Sequence, residues 1–299
     1  MRWYTATMRF RGNAALNPAE VIDQRGAGGG LGGFLPFPIL LGGGGVLGLI
    51  GLVLVGALLA GGGGTSSSSP AASPSDLASQ CTTGAAADQR SDCRVVAVVN
   101  SVQDYWTSAL PAHGFRYVDA PTVLYTDYAS TGCGEAQGSD GPFYCPADKR
   151  VYLDLAFFDD MKTVLGAEGG TFAQAYVIAH EYGHHVQDIM GLFQTYGDPK
   201  PGASNTSVRI ELQADCYAGV WAHHATQTRI IADVTSADIA DALNAASSVG
   251  DDRIEQDQGQ TVQPDTFTHG TSAQRDRWFT RGYDGGDLSD CDTFAASSL

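Results

Sequence analysis

The chain has 299 residues, of which 43% are hydrophobic and 17% charged, and its formal net charge is −16. This length corresponds to one or two domains. The acidic balance excludes a nucleic-acid partner, because binding to phosphates requires clustered lysine and arginine side chains.

The first part of the chain predicts a membrane anchor. Residues 1–37 carry four arginines against two acidic residues and too few apolar residues for a core, so we interpret them as a cytoplasmic tail. Residues 39–60 read ILLGGGGVLGLIGLVLVGALLA, which as a helix would span about 33 Å, enough to cross a hydrocarbon core of about 30 Å.

The arginines precede this apolar run, and the positive-inside rule then places the N-terminus in the cytoplasm. We therefore predict a single transmembrane helix over residues 38–60, with the rest of the chain outside the cytoplasm at the cell membrane. A cleaved signal peptide and a buried core helix are the alternatives. Residues 61–78 are rich in glycine, serine and proline, which is typical of a linker, and residues 79–299 form the predicted globular domain.

All six cysteines follow the apolar run, which suits an oxidising compartment. Their order suggests three pairs, although the sequence leaves other connectivities open: Cys81 with Cys93, Cys133 with Cys145, and Cys216 with Cys291.

Hydrophobic periodicity predicts a mixture of helices and short strands in the domain. The predicted helices cover residues 94–110, 171–192, 208–224, 236–248 and 272–281. The predicted strands cover residues 122–126 and 150–155 and are separated by a loop over residues 131–148. The fold class expected from this pattern is α+β, with a small sheet and a pair of helices behind the transmembrane helix.

The predicted helix over residues 171–192 contains the sequence AHEYGHHVQ, an HExxH motif. His180 and His184 lie one turn apart on one helix face, where both imidazoles can bind one metal ion. Glu181 lies at the rim of that face, within reach of a metal-bound water. The surrounding residues are apolar, and burial of two histidines and a glutamate is costly unless a cation such as Zn²⁺ satisfies them.

A zinc site of this type needs a third protein ligand, and the sequence ELQAD in the next long helix offers one. We predict that Glu211 binds the zinc and that Asp215 accepts the second ring N–H of a ligand histidine. His185 should face away from the metal, and the other histidines at 113, 223 and 224 lie too far along the chain.

These residues predict a hydrolytic reaction in which Glu181 acts as general base toward a zinc-activated water and later protonates the leaving amine. The stretch FTHGTSAQR supplies His269 as a candidate oxyanion partner and Arg275 as a residue that orients the site. We expect an extended peptide substrate to pair with the strand that contains Val151, Tyr152 and Leu153.

Four blocks of the sequence resemble the bacterial putative neutral zinc metallopeptidases. They read TGCGEAQGSDGPFYCPADKRVYLDLAFFDDM, AYVIAHEYGHHVQDIMG, RIELQADCYAGVWA and FTHGTSAQRDRWFTRGYDGGDLSDCDTF. The resemblance implies a zincin-like, gluzincin-type endopeptidase in which His180, Glu181, His184 and Glu211 form the zinc and catalytic set. The ELQAD and HGTSAQR blocks are also similar to elements of membrane-bound gluzincin peptidases.

Two other functions remain compatible with the same residues. One is a catalytically inert zincin-like binding module, and the other is a zinc hydrolase that acts on a non-peptide amide such as a cell-wall bond. The expected partners are a peptide or protein substrate, and the membrane through the N-terminal helix.

Overall fold

The structure is a computed structural model, and it describes residues 8–26, 74–167, 169–197 and 200–299. Two short strands, β1 (Arg9–Phe10) and β2 (Val21–Asp23), come first. They are followed by helices α1 (Pro74–Gln80), α2 (Gly84–Ala87) and α3 (Ser91–Ala109).

A strand-rich region comes next and contains β3 (Thr122–Tyr125), β4 (Tyr128–Thr131), β5 (Gly134–Gln137), β6 (Phe143–Cys145) and β7 (Arg150–Asp154). The remaining helices are α4 (Phe157–Thr163), α5 (Thr171–Ile189), α6 (Leu192–Tyr196), α7 (Thr206–His224), α8 (Ser236–Ser248), α9 (Asp251–Asp257) and α10 (Ser272–Gly285). One more strand, β8 (Ile231–Asp233), precedes α8. The five predicted helices and both predicted strands are confirmed, with small shifts at their ends.

The main sheet has four strands in the order β2-β3-β7-β6, in which β2, β3 and β7 run parallel and β6 runs antiparallel to β7. Strands β5 and β6 fall in the region predicted as loop, and β4 ends at its first residue. Side chains alternate across the sheet. Leu124 and Leu153 join the large core under the helices, whereas Val123 and Tyr152 join a smaller core with residues of the β4–β5 hairpin.

The N-terminal residues belong to this same fold. Strand β1 pairs with β8, and β2 pairs with β3, so residues 8–26 are not the separate tail that the sequence suggested. Met8, Phe10, Leu16 and Val21 are all buried in the main core. The parallel pairing of β2 with β3 also places residues on either side of the apolar run in one sheet.

The fold-class prediction is therefore wrong in its preceding transmembrane helix. Within the described residues, no helix combines the length and apolar character needed to cross a membrane. The predicted helix at 38–60 and the linker at 61–78 lie almost entirely outside those residues. Strands β2 and β3, which lie on either side of that segment in the sequence, pair with each other in one mixed α/β domain.

Three disulfides join Cys81 to Cys93, Cys133 to Cys145, and Cys216 to Cys291, which confirms the predicted pairing. The first two close loops of similar length, and the third spans 75 residues and connects the C-terminal segment to α7. Disulfide bonds of this kind are typical of proteins that fold in an oxidising compartment.

We expect Val21→Ala to lower the free energy of unfolding by about 2 kcal/mol, because the Val21 side chain is 5% exposed and lies in the core beside β3. Urea denaturation of the full chain would measure the loss. Val118→Ala is the matched control, since Val118 is 58% exposed and should change stability little. Equal stability of the two variants would contradict a structural role for the N-terminal strands.

Candidate metal centre

Helices α5 and α7 bring three potential metal ligands together. His180 and His184 lie one turn apart on α5, and Glu211 lies near the start of α7. The Nε2 atom of His180 is 3.1 Å from Oε2 of Glu211, and Nε2 of His184 is 3.5 Å from Oε1 of the same carboxylate. One ligand atom from each residue lies within 4.8 Å of the others, and all three side chains are buried.

A glycine allows the two helices to approach closely at this point. A Cβ atom on Gly183 would lie 3.0 Å from both the Cα and the carbonyl oxygen of Ala214. Any larger residue would therefore push α5 and α7 apart. Because Gly183 precedes His184 and Ala214 precedes Asp215, this contact sets the distance between the metal-ligand residues of the two helices.

Asp215 fixes the orientation of the His180 ring through its Nδ1 atom. Its Oδ1 atom accepts a hydrogen bond of 2.8 Å from Nδ1 of His180, which leaves Nε2 as the ring nitrogen that faces Glu211. Arg275, on α10, donates to both oxygens of Asp215 at 2.9 Å, and Tyr176 donates its hydroxyl to Oδ1 at 2.5 Å. Arg275 therefore acts on the site through Asp215.

The electrostatics of the site follow from this arrangement. Burial alone would raise the pKa of Asp215, but the charges of Arg275 and His180 lower it to about 2. Burial alone would lower the pKa of His180, but the charge and hydrogen bond of Asp215, with those of Glu211, raise it to about 10. Two carboxylates thus surround the imidazole pair, and this concentration of negative charge suits a divalent cation.

His184 has a different partner on its own helix. Its Nδ1 atom is 2.8 Å from the side-chain oxygen of Gln187, one turn further along α5. Gln187 is fully buried and donates to the backbone oxygen of Ile210 and to the side chain of Gln213. Both histidines therefore present Nε2 toward Glu211, since each Nδ1 is already bonded.

The donor set fits a zinc ion. Two imidazole nitrogens and one carboxylate are the protein ligands of a common class of catalytic zinc site, which keeps its fourth position for water or substrate. A cation held by these three residues would also pair the buried carboxylate of Glu211 with a positive charge. A second cluster contains Cys81, Asp92 and Cys93, but its two cysteines form a disulfide and offer no thiolate.

Glu181 lies beside the three ligands but is not one of them. It is 2% exposed, and its nearest sheet strand is β6. Burial raises the pKa of Glu181, while the charges of His180 and His184 oppose this rise. The carboxylate is thus a buried group close enough to both imidazoles to interact with their charges.

His269 lies in the loop before α10. Burial raises the pKa of Glu211, but His184 and His180 lower it well below its usual range. The charge of His269 adds a smaller effect in the same direction. Nδ1 of His269 is 3.2 Å from Oδ1 of Asp251, whose other oxygen accepts the backbone N–H groups of Thr268, His269 and Gly270. Asp251 thereby fixes both the loop and the ring.

Strand β7 is not the exposed edge that the prediction of a substrate-binding strand requires. Val151, Tyr152 and Leu153 are each 1% exposed, and their strand is bonded to β3 on one side and to β6 on the other. A substrate cannot pair with it. The edge of the sheet nearest α5 is β6, whose Tyr144 contacts His185 and donates its hydroxyl to Asp188.

The other histidines lie outside the cluster of ligands. His185 is bonded to the hydroxyl of Tyr144 and the backbone oxygen of Val118, away from the ligand face. His223 and His224 are bonded to backbone oxygens of Tyr283 and Gly286, at the far end of α7. His113 ends a 3-10 helix after α3.

Sequence reasoning did not find three residues that support the ligands. Tyr176 and Gln187 lie one turn from His180 and His184 on α5, so helical spacing was a signal that could have identified them. Asp251 offers no local signal, because it meets His269 only through the fold.

Comparison with known proteins agrees with this site. The family model described as "Putative neutral zinc metallopeptidase" matches residues 8–294. Uncharacterized protein Rv2575 of Mycobacterium tuberculosis (strain ATCC 25618 / H37Rv) is 47% identical over 228 residues, covering 74% of this chain and 76% of its own. Uncharacterized protein YpfJ of Escherichia coli (strain K12) is 47% identical over 205 residues, covering 67% of this chain and 70% of its own.

No solved structure matches the chain. The family match extends from residue 8 almost to the C-terminus and includes every residue of the metal centre. The chain therefore belongs to the putative neutral zinc metallopeptidase family.

Proposed function

We propose that this protein is a zinc-dependent peptidase that hydrolyses peptide bonds, with Glu181 as its general base. One observation carries the proposal: a buried carboxylate that is not a ligand lies beside a converging set of two histidines and a glutamate. A purely structural zinc site would be closed by four protein ligands and would have no use for this additional carboxylate.

When bound, zinc supplies Lewis acidity, which lowers the pKa of a water molecule toward 7 and polarises the substrate carbonyl. Glu181 accepts the proton of the attacking water as the new C–O bond forms. It then delivers that proton to the amine nitrogen as the C–N bond breaks. Burial of Glu181 raises the pKa of its carboxyl group, which favours the acceptance of a proton from water.

The edge strand β6 is our candidate for substrate binding, in place of β7. An extended peptide gains backbone hydrogen bonds when it adds to an unpaired sheet edge. Residues Phe143–Cys145 form such an edge next to Glu181, and the disulfide of Cys145 with Cys133 connects the edge to the β4–β5 hairpin. The three disulfides also support an oxidising compartment as the place of action.

We expect His269→Ala to lower kcat about 10²-fold with little change in KM, because the His269 ring is held by Asp251 beside Glu211 and can donate to a developing oxyanion. Steady-state kinetics on one peptide would test this. His113→Ala is the matched control and should behave like the native enzyme. A larger change in KM than in kcat would instead place His269 in ground-state binding.

Zinc analysis and cleavage of a peptide library by the full chain test the proposed function directly. The native protein should contain one zinc per chain and cleave peptides. Glu211→Ala should lose both zinc and activity, whereas Glu135→Ala, which removes an exposed glutamate of β5, should keep them. A native protein that binds zinc but cleaves no peptide would contradict the proposal.

A further inference from the structure

A chain of side-chain amides connects the ligand His184 to a disulfide. The side-chain oxygen of Gln187 accepts a hydrogen bond from Nδ1–H of His184, and the NH₂ group of Gln187 donates to the side-chain oxygen of Gln213 at 3.0 Å. Gln213 in turn donates its NH₂ group to the backbone oxygen of Cys291 at 3.0 Å. We call Gln187, Gln213 and the Cys216–Cys291 disulfide the amide relay.

Each hydrogen bond of this relay has only one chemically consistent assignment of donor and acceptor. Backbone carbonyls can only accept hydrogen bonds, so Gln213 must turn its NH₂ group toward Cys291 and its oxygen toward Gln187. Gln187 must likewise turn its NH₂ group toward Ile210 and Gln213. Its oxygen then faces His184, which must carry its proton on Nδ1 and keep Nε2 free for a metal.

The relay is sealed from water, so its partners cannot be replaced by solvent. Gln187 is fully buried, Gln213 is 5% exposed, and Cys291 is fully buried. A glutamine left without its acceptor in such a place would carry the cost of an unsatisfied polar group or would turn its amide. Either response would disturb the hydrogen bond that orients His184.

The disulfide determines where the relay ends. Cys216 lies on α7 three residues after Gln213, and therefore on nearly the same helix face. Its bond to Cys291 holds the backbone of the C-terminal segment against that face, where the oxygen of Cys291 meets Gln213. His180 has no comparable link, because its acceptor is the carboxylate of Asp215.

We propose that the amide relay positions His184, so that zinc affinity depends on the integrity of the Cys216–Cys291 disulfide. This inference rests on the proposed zinc function and adds to it a role for residues that touch neither metal nor substrate. Gln187 and Gln213 are positioning residues, and the disulfide makes metal retention sensitive to the redox state of the compartment.

Zinc affinity measured by competition with a chromophoric chelator tests the relay. Gln187→Leu should weaken zinc binding by about 10–100-fold, the usual effect of losing a partner of a ligand histidine. Gln213→Leu should weaken binding in the same direction, and so should the Cys216→Ala/Cys291→Ala double variant. Cys81→Ala/Cys93→Ala is the matched control, because it removes a disulfide outside the relay and should leave affinity unchanged.

A double-mutant cycle separates the relay from general destabilisation. If the disulfide acts through Gln213, its removal from the Gln213→Leu background should cause no further loss of affinity. The visible spectrum of the Co²⁺-substituted protein should change in Gln213→Leu, which keeps the disulfide, because the orientation of His184 changes. This variant also tests the relay if the double cysteine variant does not fold.

Two outcomes are distinguishable. A native chain that binds no zinc would overturn the proposed function and the relay with it. Native zinc binding, with unchanged affinity and unchanged Co²⁺ spectra in Gln187→Leu and Gln213→Leu, would overturn the relay alone.

Discussion

Glu181→Gln is expected to reduce peptide hydrolysis by about 10²–10⁴-fold while the bound zinc is retained. Glutamine has the same shape as glutamate and fills the same buried space. It cannot take a proton from water, however, so the general base is lost without a change in packing. Because Glu181 is not among the three converging ligands, metal content should stay at the native level.

Kinetics and zinc analysis on the same preparations would check this expectation. Glu135→Gln makes the same chemical change at an exposed position and should retain full activity. Loss of zinc together with activity in Glu181→Gln would mean that Glu181 serves as a ligand. Full activity in Glu181→Gln would remove it from the mechanism.

Arg275→Met is expected to lower the free energy of unfolding by about 3–5 kcal/mol. Arg275 is 1% exposed and makes two hydrogen bonds to Asp215, which is fully buried. Methionine fills similar space but leaves the carboxylate with only Tyr176 and His180 as donors. The loss of stability arises because the charge of Asp215 stays buried without its cation. Removing one partner of such a pair therefore destabilises the protein more than the intact pair stabilises it.

Urea denaturation would measure this loss, with Arg281→Met as the control on the same helix. Arg281 is exposed, and its guanidinium lies 5.1 Å from the ring centroid of Trp278, a contact worth about 0.5–1 kcal/mol at such a site. A decrease of similar size in both variants would show that Arg275 does not balance the charge of Asp215.

Local sequence patterns predicted those features of the site that depend only on residue spacing within one helix. HExxH placed His180 and His184 on one face, and the i, i+4 spacing in ELQAD paired Glu211 with Asp215 on the next helix. The structure brings these four residues together between α5 and α7. Each inference needed only helical geometry and the cost of burying charge.

Parts that depend on contacts between distant segments were not predictable in the same way. Strand β6 has three residues within a region rich in glycine, proline and cysteine, so nothing in its composition marks it as the sheet edge beside Glu181. The choice of β7 as substrate strand followed from its composition, which shows burial but not which neighbours cover it.

The prediction of a transmembrane helix before the domain was wrong for a related reason. An apolar run preceded by arginines satisfies every local rule for a transmembrane helix. Only the pairing of β2 with β3 shows that the residues before the run and those after it belong to one sheet. Such pairing between short strands leaves no periodic pattern, because β1 and β2 have only two and three residues.

The pairing of β1 with β8 also affects how the chain can reach its native state. Arg9 and Asp233 are 224 residues apart in the chain and bond to each other. During synthesis from the N-terminus, β1 therefore cannot pair with β8 until most of the protein has been made. Folds dominated by such non-local contacts fold slowly, since the chain must lose loop entropy before the contacts form. Closure of this domain is thus a late step, in which strand β1 pairs with a strand made more than two hundred residues later.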